Sequence, residues 1–231
     1  MRGVDLRAEH GMSLVELLAA MIAGIVVLMG AYATVDVAVI TQKDAEGRID
    51  TIARGRLAME QITRQVRSQV CLDQHTVPIL EAQRNRMVFY ASLAAASAQT
   101  TYQRRTIVYV PEQDGTSGRI VETVVTGAGQ PPEIAWTGGT TTRTLITDVR
   151  PQGQGLFRYY TFDAPVAPVM REVTSSSGVP VEERRLTVQV GIAFEVLTAR
   201  GRSARQNSLF ENTVFVRTAD PTDPTHSPKC T

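Results

Sequence analysis

Two polar residues stand at the start of the longest apolar stretch of the chain, with the spacing of a helix cap. Ser13 precedes Glu16 by three positions, which gives the S-x-x-E pattern of a capping box. In such a box the serine hydroxyl accepts from the glutamate backbone N–H, and the carboxylate accepts from the serine backbone N–H. The helix dipole also favours a carboxylate in the first turn. The pattern therefore predicts that a helix begins here.

Glu16 has a second interpretation, because it lies at the edge of an apolar run. No residue from Leu17 to Val35 is charged, and a run of this length can cross a bilayer as one helix. An unpaired carboxylate inside the hydrocarbon edge costs on the order of a few kcal/mol. A cation on another molecule would offset that cost, and cleavage after Gly11 would create one as the α-ammonium of Met12. Glu16 is thus a candidate assembly residue.

Cys71 and Cys230 are the two cysteines of the chain. If the domain between them lies outside the cytoplasm, they can form one disulfide that ties the tail to the end of the first helix. The alternative is two free thiols, one buried and one in the tail. Both stay open, because the sequence does not show whether the two Cα atoms come within about 4.4–6.8 Å.

The sequence offers no catalytic or metal-binding constellation. The three histidines, His10, His75 and His226, have no metal-ligand spacing to one another or to the cysteines. Residues 115–118 have the composition of a turn and lack the G-x-S-x-G pattern of a nucleophile elbow. No phosphate-binding loop is present. We therefore expect a protein that is not an enzyme and has no cofactor or metal.

Charge gives little support to a nucleic-acid partner. The net charge is +1, so no global field attracts a polyanion. Local groups of arginines would bind DNA phosphates if they met on one face. The simpler interpretation is a hydrated surface, because no aromatic platform accompanies them. The groups are Arg84 with Arg86, Arg104 with Arg105, and Arg200 with Arg202 and Arg205.

One long helix must carry the N-terminal residues. After Asp36, apolar residues recur at intervals of three, four or seven, which predicts that the helix continues to about residue 70. Gly47 and Gly55 lie within it and indicate either a bend or close packing. The second half should pack its apolar stripe on a sheet. That stripe is Ala45, Ile49, Ile52, Met59, Ile62, Val66 and Val70.

From residue 86 onward the pattern is that of short β-strands separated by turns. Alternation from Leu186 to Val196 predicts the clearest strand, and only one register buries its apolar face. The charged run Glu182–Arg185 is interpreted as its solvated start. The other predicted strands are Arg86–Tyr90, a hairpin of Thr106–Val110 with Arg119–Val125, then Leu145–Val149, Leu156–Phe162 and Leu209–Arg217. The last of these is predicted to complete a second hairpin with the Leu186–Val196 strand.

Glycine and proline mark the predicted loops. Residues 126–142 form one of them and hold the only tryptophan, Trp136. This side chain either folds its loop onto the domain, the commoner case, or recognises a ligand. Further loops are expected near residues 164–180 and 199–207. The tail from Ala219 onward contains three prolines and is predicted to be mobile.

The N-terminal residues resemble a known signature. Gly-Met-Ser-Leu-Val-Glu-Leu-Leu, from Gly11 to Leu18, resembles the prepilin motif of type IV pilins and type II secretion pseudopilins. The resemblance implies that a membrane prepilin peptidase cuts after Gly11 and N-methylates Met12, which is usually phenylalanine in this family. It also implies that Glu16 pairs with the N-terminus of a neighbouring subunit during assembly.

The resemblance and the residue pattern agree on an α+β fold. A long helix, with a membrane-spanning first half and an amphipathic second half, should pack on a mostly antiparallel β-domain. The expected divisions are a leader over 1–11, the membrane half over 12–36, the amphipathic half over 37–72, the β-rich domain over 73–218 and a tail over 219–231. Size and strand order resemble minor subunits of the W type of pili or the J type of secretion pseudopili.

The expected function is that of a minor pilin or pseudopilin in a filament. Its expected partners are other pilins or pseudopilins, prepilin peptidase, an inner-membrane assembly platform and the bilayer. The N-terminus should be cytoplasmic and the domain extracytoplasmic. Two alternatives stay open, a pilus-tip adhesin or DNA-uptake receptor, and a membrane-anchored domain with no filament role.

Overall fold

One helix, α1, runs without interruption from Leu14 to Arg67. The computed structural model describes residues 13–73, 76–94, 100–162, 169–173, 178–198 and 207–217. Two compact units divide the chain, residues 1–46 and 47–231, so α1 contributes to both. The helix ends close to the predicted residue 70. The chain then joins the sheet, because the Val70 N–H donates to the Tyr90 carbonyl.

The second unit contains one antiparallel sheet, so the fold is α+β as predicted. The strands of the described residues are β1 Ile79–Ala82, β2 Arg86–Ala94, β3 Thr100–Pro111, β4 Gly118–Thr126, β5 Thr140–Pro151, β6 Phe157–Phe162, β7 Met170–Glu172, β8 Gln189–Val196 and β9 Ser208–Phe215. Eight of them follow the order β1-β2-β3-β4-β5-β8-β6-β7, and the ninth, β9, pairs with β8. A five-residue helix, α2, spans Val181–Arg185.

Both predicted hairpins are confirmed. In the first, Val110 of β3 pairs with Arg119 of β4. In the second, β9 pairs along the whole of β8, with Val196 opposite Ser208. The other edge of β8 is shared, because β5 pairs with its C-terminal end and β6 with its N-terminal half. Strand β8 therefore pairs with three other strands of the sheet.

The predicted start of that strand was wrong. Residues 182–185 belong to helix α2, and Leu186 is its C-terminal cap. The charges fit a short helix, because Glu182 and Glu183 lie in its first turn and Arg184 and Arg185 in its last, as the helix dipole favours. The predicted apolar face of the strand is buried from Val188 to Val196. Gly191 and Ala193 lie on the opposite face and are buried too, and a Cβ on Gly191 would lie 3.2 Å from the Tyr160 ring.

Small residues form much of the helix face that packs on the sheet. The predicted members Met59, Ile62 and Val66 are buried, but Ile49 is 68% exposed. Thr51, Gly55 and Ala58 are buried in the part of the helix where larger residues were expected. Gly55 is a site of close packing, because a Cβ there would lie 2.1 Å from the Phe210 ring of β9.

Candidate functional site

The start of α1 contains both hydrogen bonds of a capping box. The Ser13 N–H donates to Oε2 of Glu16 over 3.0 Å. The Glu16 N–H donates to Oγ of Ser13 over 3.3 Å. Both residues are exposed. The carboxylate is therefore held at the N-terminal end of the helix, where the dipole stabilises its charge.

An apolar surface follows Glu16 along the helix. The mean hydropathy reaches 2.4 over 18 residues of α1, and none of that segment is buried in the structure. By length and composition, this helix can cross a membrane. The large exposed side chains of this surface include Leu14, Leu18, Met21, Ile25, Leu28, Tyr32 and Val35.

Several predicted site residues lie outside the described part of the chain. Gly11 and Met12, where cleavage and methylation are expected, are among them. Cys71 lies shortly after α1, but Cys230 is outside the described residues, so their disulfide stays a prediction. The three histidines are also outside this part of the chain. Among the residues that are described, no group of three metal-ligating side chains occurs.

The sheet contains a buried ion cluster that the sequence did not predict. The Glu122 side chain is fully buried on β4. Its Oε1 accepts from Nη1 of Arg105, and its Oε2 accepts from Nε of Arg143 over 2.6 Å. The arginines come from the two flanking strands, and Arg143 is directly opposite Glu122. Glu122 lies two positions after Ile120 in β4, and this period-two spacing was the signal that could have placed it on the same, inward face.

This cluster is suited to holding three strands together. Each carboxylate oxygen of Glu122 accepts a hydrogen bond from an arginine, and Arg105 also donates to the side-chain oxygen of Gln103. Burial lowers the pKa of Arg105, and the charge and hydrogen bond of Glu122 oppose that change. No histidine, cysteine or serine contacts Glu122 through a hydrogen bond among the described residues. The arrangement therefore supplies an ion-pair network rather than an acid–base pair.

The predicted arginine groups of the described sheet do not form one basic face. Arg104 and Arg105 are consecutive in β3, so their side chains point to opposite faces. Arg86 is paired with Glu81, with Nε 2.7 Å from Oε2. Arg84 is exposed. Arg200, Arg202 and Arg205 lie outside the described residues, so both interpretations of this group stay open.

Trp136 packs its loop onto the sheet, which was the favoured interpretation. Its ring stacks on Tyr90, with centroids 5.2 Å apart and planes at 14°. The Arg104 guanidinium carbon lies 5.7 Å from the indole centroid. Tyr90 and Arg104 are paired across β2 and β3, so both present side chains to the same sheet face. The tryptophan therefore anchors the long connection between β4 and β5.

No protein-family model, curated protein or solved structure matches this chain. The family resemblance therefore depends on the N-terminal residues themselves.

Proposed function

We propose that this chain is a structural subunit of the type IV pilin or type II secretion pseudopilin kind, processed by prepilin peptidase and assembled through the start of α1. The observation that carries the proposal is the difference between the two parts of helix α1. Its first part presents an unburied apolar surface behind a capped glutamate, and its last turns pack on an antiparallel sheet.

The exposed apolar surface needs a non-aqueous environment. At about 25 cal/mol per Å², leaving so many large side chains in water would be strongly unfavourable. A bilayer can supply that environment before assembly, and neighbouring helices can supply it in a filament. Glu16 is the exception in this surface, since its carboxylate needs a polar partner. The new ammonium of a neighbouring mature chain would provide one.

The proposal includes a direction in the membrane. The short polar leader would lie in the cytoplasm, α1 would cross the bilayer, and the sheet would lie on the extracytoplasmic side. The assembly platform and other pilins or pseudopilins would then meet the chain through α1. The large sheet with several connections is the basis for proposing a minor subunit, similar to the W type of pili or the J type of pseudopili.

Processing is the direct test of this proposal. We expect N-terminal sequencing and mass spectrometry of the membrane-extracted protein to find a mature chain that begins at methylated Met12. Gly11→Val should leave the chain uncut. An intact Met1 on the wild-type chain would contradict the proposal. Glu16→Ala should be cut normally but should not enter filaments, and its normal incorporation would contradict the pairing role.

A membrane-anchored domain without a filament is the second candidate, because an apolar helix alone serves equally well as an anchor. The two candidates differ in what Glu16 does. For an anchor, cleavage is unnecessary, and Glu16→Ala should leave the chain's distribution among membrane complexes unchanged. For a filament subunit, the same variant should lose its contacts with other subunits.

A further inference from the structure

We infer that Ser13 is a positioning residue for Glu16, and that the capping box aims the carboxylate used in assembly. This inference rests on the proposed function. Two hydrogen bonds connect the residues, from the Ser13 N–H to Oε2 over 3.0 Å and from the Glu16 N–H to Oγ over 3.3 Å. The side chain of Glu16 therefore folds back along the helix toward the chain's N-terminus rather than extending sideways into the apolar surroundings.

The two oxygens of the carboxylate are consequently not equivalent. Oε2 accepts from the chain's own backbone, whereas Oε1 has no hydrogen-bond partner among the described residues. One oxygen fixes the direction of the group, and the other is presented to a neighbour. An incoming ammonium would meet an acceptor that is already oriented, so less conformational entropy is lost when the ion pair forms.

This arrangement gives a physical reason for glutamate at this position. A carboxylate in the first turn benefits from the helix dipole whether the residue is aspartate or glutamate. The reciprocal box, however, requires the longer glutamate or glutamine side chain to reach back three residues. Charge and reach are therefore separate requirements. Glutamine keeps the reach without the charge, and aspartate keeps the charge without the reach.

Four variants of the full chain separate these requirements. The assay is the fraction of mature, membrane-embedded chain that chemical cross-linking joins to neighbouring pilin-like subunits, with cleavage checked by N-terminal sequencing. We expect Ser13→Ala to lower that fraction on the order of tenfold, the effect of losing one N-cap. Ser13→Thr keeps the hydroxyl and should restore it to within about twofold, since threonine is also a good N-cap. Glu16→Asp should resemble Ser13→Ala.

The double variant Ser13→Ala with Glu16→Asp tests whether the two residues act together. If the box acts as one unit, the double variant should be no worse than Glu16→Asp alone, whereas independent roles would multiply the two losses. Multiplied losses would overturn the inference. So would wild-type cross-linking by Ser13→Ala.

Glu16→Gln separates failure of the inference from failure of the proposed function. It should abolish cross-linking although it keeps the reach, because the proposed ion pair needs the charge. Wild-type cross-linking by Glu16→Gln would overturn the proposed charge pairing itself. Loss in Glu16→Gln together with wild-type behaviour in both Ser13→Ala and Glu16→Asp would leave the charge pairing standing and would overturn the positioning role.

Discussion

The two parts of α1 differ in what covers their apolar side chains. Residues from Leu14 to Ile40 are exposed, whereas the turns from Thr51 to Val66 bury one side against the sheet. The exposed part has large apolar residues around its circumference, which is typical of a helix surrounded by lipid or by other helices. The buried part relies on small residues for close contact. Large apolar side chains therefore do not identify the part of α1 that packs on the sheet.

The contact between Gly55 and Phe210 shows why small residues matter in the second part. Phe210 stacks on Phe194 of β8, with ring centroids 5.8 Å apart, and the absence of a Cβ at Gly55 lets the helix approach this pair. Thr63 continues the contact, since its Oγ1 accepts from Nδ2 of Asn212 over 3.1 Å. Strand β9 therefore contacts the helix at two places. The Phe210 ring occupies the space beside Gly55, and the Asn212 side chain hydrogen-bonds to Thr63.

The strongest test of this contrast replaces one isoleucine in each part of the helix. Ile62→Ala removes a fully buried side chain and should lower the free energy of unfolding by about 2–5 kcal/mol. Ile25→Ala, the matched control, alters a residue that is 54% exposed and should leave sheet stability unchanged. Guanidinium unfolding of the full chain in detergent can be followed by fluorescence of Trp136. Equal effects would contradict the division of the helix.

A pair of glycines offers a test in which the sign of the effect should differ. Gly55→Ala places a Cβ against the Phe210 ring and should destabilise the sheet by about 1–3 kcal/mol, the usual cost of overpacking. Gly47→Ala meets nothing within 4 Å, so it should favour the helix by up to about 1 kcal/mol. The same unfolding measurement suffices. If Gly55→Ala were as stable as Gly47→Ala, Phe210 would not limit the helix approach.

Two threonines give a smaller contrast of the same kind. Thr63→Val removes the hydroxyl that bonds Asn212 and should cost about 0.5–1.5 kcal/mol. In Thr41 the hydroxyl donates to the carbonyl of Val37 within the same helix, over 2.8 Å. Thr41→Val should therefore have no effect on unfolding of the sheet. A loss in Thr63→Val that persists when Asn212 is also changed to alanine would assign the cost to something other than this hydrogen bond.

Local pattern predicted much of the fold because the decisive signals are close together in sequence. The capping residues, the turn between β3 and β4, and the alternation of β8 each act over a few positions. The inward position of Glu122 was missed because its stability depends on Arg105 and Arg143, which only strand pairing brings together. The site at Ser13 and Glu16 was predictable for the same reason as the hairpins, since a capping box lies within one turn.

Ile49 is the clearest case in which the sequence spacing and the observed burial disagree. Its substitution has the smallest expected effect on the free energy of unfolding. Its spacing from Ile52 and Met59 predicted a core position, yet it is 68% exposed while Met59 is 8% exposed. Ile49→Ser should change the free energy of unfolding by no more than about 0.5 kcal/mol. Met59→Ser should cost several times that, because it removes buried apolar surface and introduces a buried hydroxyl. A large loss in Ile49→Ser would show that the packed face of α1 begins closer to the N-terminus than Thr51.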